Sequence, residues 1–535
     1  MNRKLDWPAL ILFTALLFGA VVRFMPAISN GFPLNDGGMF YTMIRDLQAN
    51  HYILPQFTSY NFVDIPFAYP PLGFYIAASL SDASTALSIN LLRVPVLQIL
   101  LWLPALVNTL SILAFYKLAE QILPSRMAAS LAALVYALSS RAFVWQVMGG
   151  GITRAFGMLF LILFLWQAVQ LFRASHQTQQ ENASLLSATH PHLLLTILFG
   201  ACAVLSHPQT ALHAVLGGAL LFLFYGRNKR GIISALLVGA GVALLTAPWW
   251  GTVFLRYGFA PLLSASQTSQ RTFESYLMVF SLNSLGDYIF IPTLVLALIG
   301  AWVTVKRREF FLVTWVVLAY LIDPRGGDGV ALLAESMLAG LGLLKLSAWI
   351  SRSDSEQPEG VMMKRSSQIL VFGAAFYFIL AASISDFQLI NTSLKPEDIK
   401  MIEWVNSNVD DGKTFLLSTG REFSMSDPLQ EWFPTLTKQH SATTLQGLEW
   451  TLAERFFPWH EQLVAFQHCA DVSCVSKWSA NNNVDYDYLI VTIPPESDES
   501  EFGKSLRSLA LSTRNSASYA LVYESENALA FEVKR

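Results

Sequence analysis

Long apolar runs recur through the first 385 residues, and that recurrence constrains the chain more than any motif does. A run of about 20 apolar residues is driven out of water, and in lipid its backbone must bond to itself as helix. The runs fall at 8–26, 94–118, 127–144, 152–172, 193–205, 210–225, 232–249, 288–305, 310–322, 330–350 and 369–385, about eleven in all. Composition agrees, with 53% hydrophobic against 14% charged residues and a mean hydropathy of +0.43, values that a soluble chain of 535 residues rarely combines. The expected fold class is therefore a polytopic α-helical membrane protein, with membrane lipids as its first partner. A net charge of −3 gives no ground for nucleic-acid binding.

Several runs are shorter than a straight crossing needs, so the pairs meeting near His207 and Arg325 are expected to be broken or tilted. Arg3 and Lys4 precede the first run and no convincing small-residue cleavage site follows it, which reads as an uncleaved signal anchor with a cytoplasmic N-terminus. Alternating from there, the inside loops carry Arg126, Arg173, Arg227, Lys229, Arg230, Lys306, Arg307, Arg308, Arg352, Lys364 and Arg365, the positive-inside bias. The intervals around Asp36, Gly149, His207, Ala260 and Arg325 then open on the extracytoplasmic side, and the plasma membrane is the expected location.

The first outer interval, 29–93, is the most informative. Its sequence Pro33-Leu34-Asn35-Asp36-Gly37-Gly38 precedes a run in which Met39, Phe40, Met43, Ile44 and Leu47 share one face at helical spacing. A short helix lying on the membrane surface fits, with Asn35 or Asp36 at its N-cap. That position suits a plain cap, and it also suits a functional carboxylate favoured by backbone N–H groups and the helix dipole.

After residue 385 no membrane-length run occurs and acidic and asparagine residues accumulate, so 386–535 reads as a soluble domain following a membrane domain over 1–385. Strand-like runs at 414–418, 488–492 and 519–523 alternate with helical stretches such as 398–408, which suggests a small α/β domain. An odd number of crossings places it outside the cytoplasm. There Cys469 and Cys474, two of the three cysteines, are expected to form a local disulfide.

Polar groups at the mouth of a helix bundle are costly unless paired or wet, so their clustering on one side is a functional signal. Facing outward are Asp36, Asp64, Arg141, Arg154, His207, Arg256, Arg271, Asp323, Arg325 and Asp328. Arg141 and Arg154, on either side of Gly149-Gly150-Gly151, suit anion binding or snorkelling to headgroups. The three glycines read first as a tight hairpin. His207, before Pro208 at a helix break, is a cap, a packed residue or a ligand, and deeper His213 reads as packed and hydrogen-bonded. Arg325 in DPRGGDG, at a helix start, suits an anion or an ion pair with Asp323 or Asp328.

No nucleotide-type Gly-rich loop, HExxH or CxxC pair is present, so neither ATP-driven transport nor a zinc site is supported. A membrane enzyme working outside the cytoplasm needs a donor already there, and a lipid-linked phosphate fits.

The arrangement resembles the GT-C superfamily of polyprenyl-phosphate-sugar-dependent membrane glycosyltransferases, which includes protein mannosyltransferases, aminoarabinose transferases and the oligosaccharyltransferase catalytic subunit. The features carrying the resemblance are the uncleaved first span, the acidic motif LNDGGMFY in a long first outer loop, YPPLGFY at Tyr69 to Tyr75, and an outer C-terminal domain, with GGGITR, LSHPQTAL and DPRGG in support. Many members carry two adjacent acids in that loop; here the first is Asn35, which leaves Asp36 as sole acid and no firm ligand set for a divalent metal. The WWDYG signature is absent and EWFP at Glu431 to Pro434 does not replace it, which disfavours N-glycosylation.

The resemblance implies transfer of a sugar from a polyprenyl-phosphate donor to a glycan, lipid or protein acceptor. One carboxylate suffices as base because phosphate is a stable leaving group, so Asp36 is the expected catalytic residue. Arg325, Arg154 and His207 are expected to balance the departing phosphate, and Asn35, Asp64 and Tyr69 to line the substrate site. Trp432 and Trp450 are candidates for stacking on a sugar or for core packing. Alternatives are a polysaccharide polymerase or ligase using a lipid-diphosphate glycan, a transporter, for which no internal repeat is visible, and a non-catalytic scaffold.

Overall fold

Backbone groups in lipid must bond within their own segment, and every expected run falls on helix in the computed structural model, which describes residues 6–86, 94–180, 185–268, 290–324, 326–353, 358–422, 424–495 and 497–534. Seven helices among the described residues are long and apolar enough to cross a membrane: Trp7–Asn30, Val96–Ile122, Gly151–Ser175, Pro208–Tyr225, Lys229–Tyr257, Asp328–Ser351 and Arg365–Ile390. The run at 127–144 is a pair of helices, Arg126–Leu138 and Ser140–Val147, bent by 46°. Three shorter apolar helices, Pro191–Val204, Ile291–Lys306 and Phe311–Ile322, carry the remaining runs. The expected break at His207 is present, between helices ending at Ser206 and starting at Pro208.

The first helix begins where Asp6 accepts from the Ala9 N–H at 3.2 Å. It runs through Pro26 to Gly31, whose φ of 64° is the left-handed conformation that lets its N–H reach the Ala27 carbonyl. Inside it lies Arg23, fully buried within a run that reads as apolar. Its guanidinium donates to Asn108 Oδ1 at 2.6 Å and to the carbonyls of Gly19 and Ala137 at 2.8 and 2.7 Å. Ala137 belongs to the last turn before the bend, where helix carbonyls lose their own partners. Arg23 thus satisfies a group that the bend exposes. Close helix packing elsewhere relies on small residues: a Cβ on Gly300 or Gly342 would lie 1.9 Å from a facing backbone carbonyl.

The C-terminal domain is built on a five-stranded sheet in the order His440–Ser441, Thr414–Ser418, Tyr488–Thr492, Ala528–Val533, Tyr519–Glu524. The first three strands are parallel and the last two add antiparallel. The strands expected from sequence are present; the two-residue edge strand and the return strand Ala528–Val533 were not legible as separate runs. Alternation along the strands splits the sheet into two faces. Leu416, Leu489, Val491 and Phe531 face a core containing Leu445, Phe466 and Trp478. Phe415, Leu417, Ile490 and Ala530 face the loop that follows the first helix.

That second face corrects the placement of the loop helix Gly38–Ala49. Its apolar residues Met39, Phe40, Met43, Ile44 and Leu47 are all buried, as the spacing required, but they pack against Tyr60, Phe74, Trp432 and Phe433 rather than on a lipid surface. The loop helix is a layer between the C-terminal domain and the helix Leu72–Ala86.

Cys469 and Cys474 are bonded, with Cα atoms 5.5 Å apart. Peptide mapping without reduction should recover this cross-link, and replacing both residues by serine should lower stability by about 2 kcal/mol, as expected for closing so short a loop. Two free thiols in protein from its native membrane would count against it.

Candidate active site

The loop preceding Gly38 is held as an extended ribbon. Leu34 pairs with Ser393, the Asn35 N–H donates to the Thr392 carbonyl at 3.0 Å, and the Leu34 carbonyl accepts from the Gly149 N–H at 3.0 Å. Asn35 takes a φ of 48°, a left-handed conformation that Asn tolerates better than most residues. The turn delivers the Asp36 side chain to the N-terminus of the helix that starts at Gly151. There Oδ1 accepts from the Gly150 N–H at 2.8 Å and Oδ2 forms an ion pair with Arg154 Nη2.

Sequence had placed Asp36 at a helix N-terminus, and the structure keeps the principle while changing the helix. Gly37, not Asp36 or Asn35, is the N-cap of Gly38–Ala49, with no side-chain cap; Asp36 serves Gly151–Ser175 instead. The three glycines are correspondingly more than a hairpin. A Cβ on Gly149 would lie 2.0 Å from the Asp36 carbonyl, and one on Gly150 would lie 2.7–2.9 Å from the carboxylate.

Arg154 is likewise not snorkelling. Its side chain is 22% exposed and Asp36's is 5%; its Nη1 donates to the Trp145 carbonyl at 3.1 Å and its guanidinium lies 5.4 Å from the Trp145 ring centre. Beside it, Thr153 Oγ1 bonds to the Gly150 carbonyl at 3.1 Å and lies 3.3 Å from the Tyr69 hydroxyl. Tyr69 packs edge-on to Trp450 and His207, with centroids 5.6 and 6.1 Å away, and burial pushes its phenol up to about 12. His207 Nδ1 is buried with no hydrogen-bond partner among the described residues.

Asp36, Tyr69, Arg154 and His207 are therefore brought together. Asn35 is adjacent, but its amide points to Met148 Sδ at 3.4 Å. Asp64 is exposed and makes none of these contacts. Arg325 lies outside the described residues, as does Arg271. Arg141, offered as a snorkelling or anion-binding group, instead pairs with Glu335 at 2.9 Å and donates to Tyr320 at 3.0 Å. Asp323 accepts from Gln209 at 2.7 Å and lies 3.5 Å from His213 Nε2. Arg256 donates to the carbonyls of Leu54 and Pro55, tying its helix to the loop that follows the first helix. Trp432 is fully buried and donates to the Asn35 carbonyl at 3.0 Å, so it is packing and not a sugar platform; Trp450 stays beside Tyr69.

Two acids were missed, Glu431 and Glu449, although each stands beside a tryptophan in an apolar stretch, where an acid is unusual. Glu431 Oε1 accepts from the Gly37 and Met39 N–H groups at 3.1 and 3.0 Å. Burial, with the nearby Asp36 charge, pushes its carboxyl up to about 8. Burial likewise pushes Glu449 up to about 7. Among the described residues no group of three or more His, Cys, Asp and Glu side chains is placed to hold a metal ion.

No protein-family model and no curated protein matches the sequence. Solved structures do match the fold. The oligosaccharyltransferase AglB from Archaeoglobus fulgidus, in complex with an inhibitory peptide and a dolichol-phosphate, superposes with a TM-score of 0.59 at 13% identity, covering 99% of this chain and 74% of that one. The same enzyme tethered to an acceptor peptide gives 0.57 at 13% identity, covering 99% and 74%. ArnT from Cupriavidus metallidurans bound to undecaprenyl phosphate gives 0.51 at 11% identity, covering 99% and 98%. At 11–13% identity these likenesses show that the chain shares the fold of these solved membrane proteins.

Two outcomes follow. Gly150→Ala should force the Asp36 carboxylate away from the helix N-terminus and destabilise the protein by about 1–3 kcal/mol; wild-type thermal stability would contradict the close approach. Glu431, with an ordinary value of 4.5 and a folded value of about 8, keeps a proton in this range that the unfolded chain releases. Its contribution to stability is thus fullest below the ordinary value and declines as pH rises toward the folded one. Thermal unfolding of wild type relative to Glu431→Gln should fall between about pH 5 and 8; a flat difference would refute it.

Proposed function

We propose that this chain is a membrane glycosyltransferase that moves a sugar from a polyprenyl-phosphate-linked donor to an extracytoplasmic acceptor, with Asp36 as general base. The observation that carries the reading is the buried Asp36 carboxylate set at a helix N-terminus against Arg154, beside Tyr69 and His207. The likeness to AglB holding a dolichol-phosphate and to ArnT holding undecaprenyl phosphate supports the donor class.

In the reaction an acceptor hydroxyl oxygen bonds to the anomeric carbon as the carbon–oxygen bond to phosphate breaks. The hydroxyl proton passes to Asp36, and the polyprenyl phosphate leaves as an anion needing little protonation. Both Asp36 oxygens are engaged at rest, one by Gly150 and one by Arg154. A donor phosphate competes for Arg154, since guanidinium binds phosphate through paired N–H groups, and drawing it away frees Oδ2 to accept the proton. His207 and Arg325 complete the phosphate side, Tyr69 and Trp450 offer ring faces to the sugar, and Asn35 and Asp64 shape the loop and its rim. The membrane domain, read from sequence as 1–385, runs to the end of its last helix at Ile390, and the domain that follows lies outside the cytoplasm, in the plasma membrane's outer aqueous phase.

Asp36→Asn keeps an acceptor for Gly150 but loses proton acceptance, so transfer of labelled sugar from polyprenyl phosphate should fall by roughly 10² or more. Opposing an amide to Arg154 should cost about 1–3 kcal/mol of stability, so unfolding is measured alongside. Wild-type turnover by the folded variant would remove Asp36 from the mechanism and make Asp64 the next acid to test. For orientation, an impermeant thiol reagent on intact cells should label a cysteine placed at exposed position 411 and not one at exposed position 307; the reverse pattern would overturn the topology.

A further inference from the structure

We infer that Glu431 is a positioning residue for Asp36, through which the C-terminal domain fixes the catalytic loop. The inference rests on the reading of Asp36 as the base for its effect on turnover, while the positioning itself is geometric.

Asp36 is flanked by two peptide units, and consecutive residues of one domain helix, Pro428–Leu436, hold one each. The carbonyl of Asn35 accepts from Trp432 Nε1 at 3.0 Å. The N–H of Gly37 donates to Glu431 Oε1 at 3.1 Å, and the same oxygen accepts from Met39 N–H at 3.0 Å. With both neighbouring peptide planes fixed, the backbone at Asp36 cannot turn its carboxylate away from Gly150 and Arg154.

The loop requires such an acceptor from elsewhere. Gly37 caps its helix with a φ of 125° and no side chain, so the first-turn amides have no local acceptor. The approach is close, since a Cβ on Gly38 would lie 2.4 Å from the Glu431 carbonyl. That carbonyl accepts from the Tyr60 hydroxyl at 2.8 Å, and Thr42 meets Thr435 at 3.2 Å, so the helix register is pinned on both sides.

Glu431 Oε2 is buried with no hydrogen-bond partner among the described residues. An acid enclosed this way costs stability that an apolar residue would not. What the carboxyl supplies is an acceptor oxygen for two loop amides, and a neutral carboxyl or a carboxamide supplies that oxygen as well.

The test uses the full-length protein in detergent with Glu431→Ala, Glu431→Gln and Trp432→Phe. Amide hydrogen exchange over Gly37 to Met39 is read together with kcat and the donor KM. In Glu431→Ala, exchange should quicken by about tenfold and kcat should fall by about tenfold or more, with KM changed less than about twofold. Glu431→Gln should restore both. Trp432→Phe, which deletes one N–H and keeps a ring, should lower kcat severalfold and serves if the alanine variant fails to fold. Unchanged exchange in a folded Glu431→Ala protein overturns the inference whatever its turnover, and so does quickened exchange with wild-type kcat. Glu431→Gln as damaging as Glu431→Ala overturns it too, because charge and not acceptance would then matter. Wild-type turnover in Asp36→Asn defeats the base reading alone and leaves the exchange result standing.

Discussion

The site depends on one meeting of charges, the Asp36 carboxylate with the Gly150 N–H and the Arg154 guanidinium. Removing one member of a buried ion pair costs about 3–5 kcal/mol because the other is stranded, so every element around the pair is committed to keeping it intact. The loop ribbon is clamped at Leu34 by Ser393 and Gly149. The glycines at 149 and 150 have no side chain because Asp36 fills that space. Trp145 covers the open face of Arg154. The first loop, the bundle and the C-terminal domain therefore form one polar junction, beside the apolar cluster around the loop helix.

A second constraint comes from the bilayer. Bending one span at Ser139 precedes the turn that brings Gly149 and Gly150 to the loop, but it leaves carbonyls of the turn before it without helical partners. Arg23 answers that requirement by donating to Ala137 and, through Asn108, tying three helices together. A buried arginine in a membrane helix usually marks function; here its contacts are with backbone carbonyls and an amide, which is structural glue for the bend that makes the site.

The fold was legible because membrane helices and alternating strands write their periods into sequence: the apolar runs, the break at His207 and three of the five domain strands are where hydropathy placed them. Asp36, Arg154, Tyr69 and His207 were legible as polar residues on one side of a bundle. What sequence could not tell was which helix each would serve. The Asp36 carboxylate and the Gly37–Gly38 helix start are neighbours in sequence, yet the first is bound by residues about 115 positions on and the second by Glu431, nearly 400 away. Local capping rules assign partners within a few residues; the first assignment was overridden by the bundle helix that starts at Gly151 and the second by the docked C-terminal domain.

The remaining question is how the site tolerates three carboxylates near a single described arginine. Burial supplies the answer. Glu431 and Glu449 are pushed up to about 8 and about 7, so near neutral pH each holds its proton for a large part of the time. Asp36 and Arg154 are then the charged pair that dominates the field. The two extra acids act mainly through hydrogen bonds, Glu431 on the loop amides, and the burial that raises them is supplied by the domain whose docking also closes the loop.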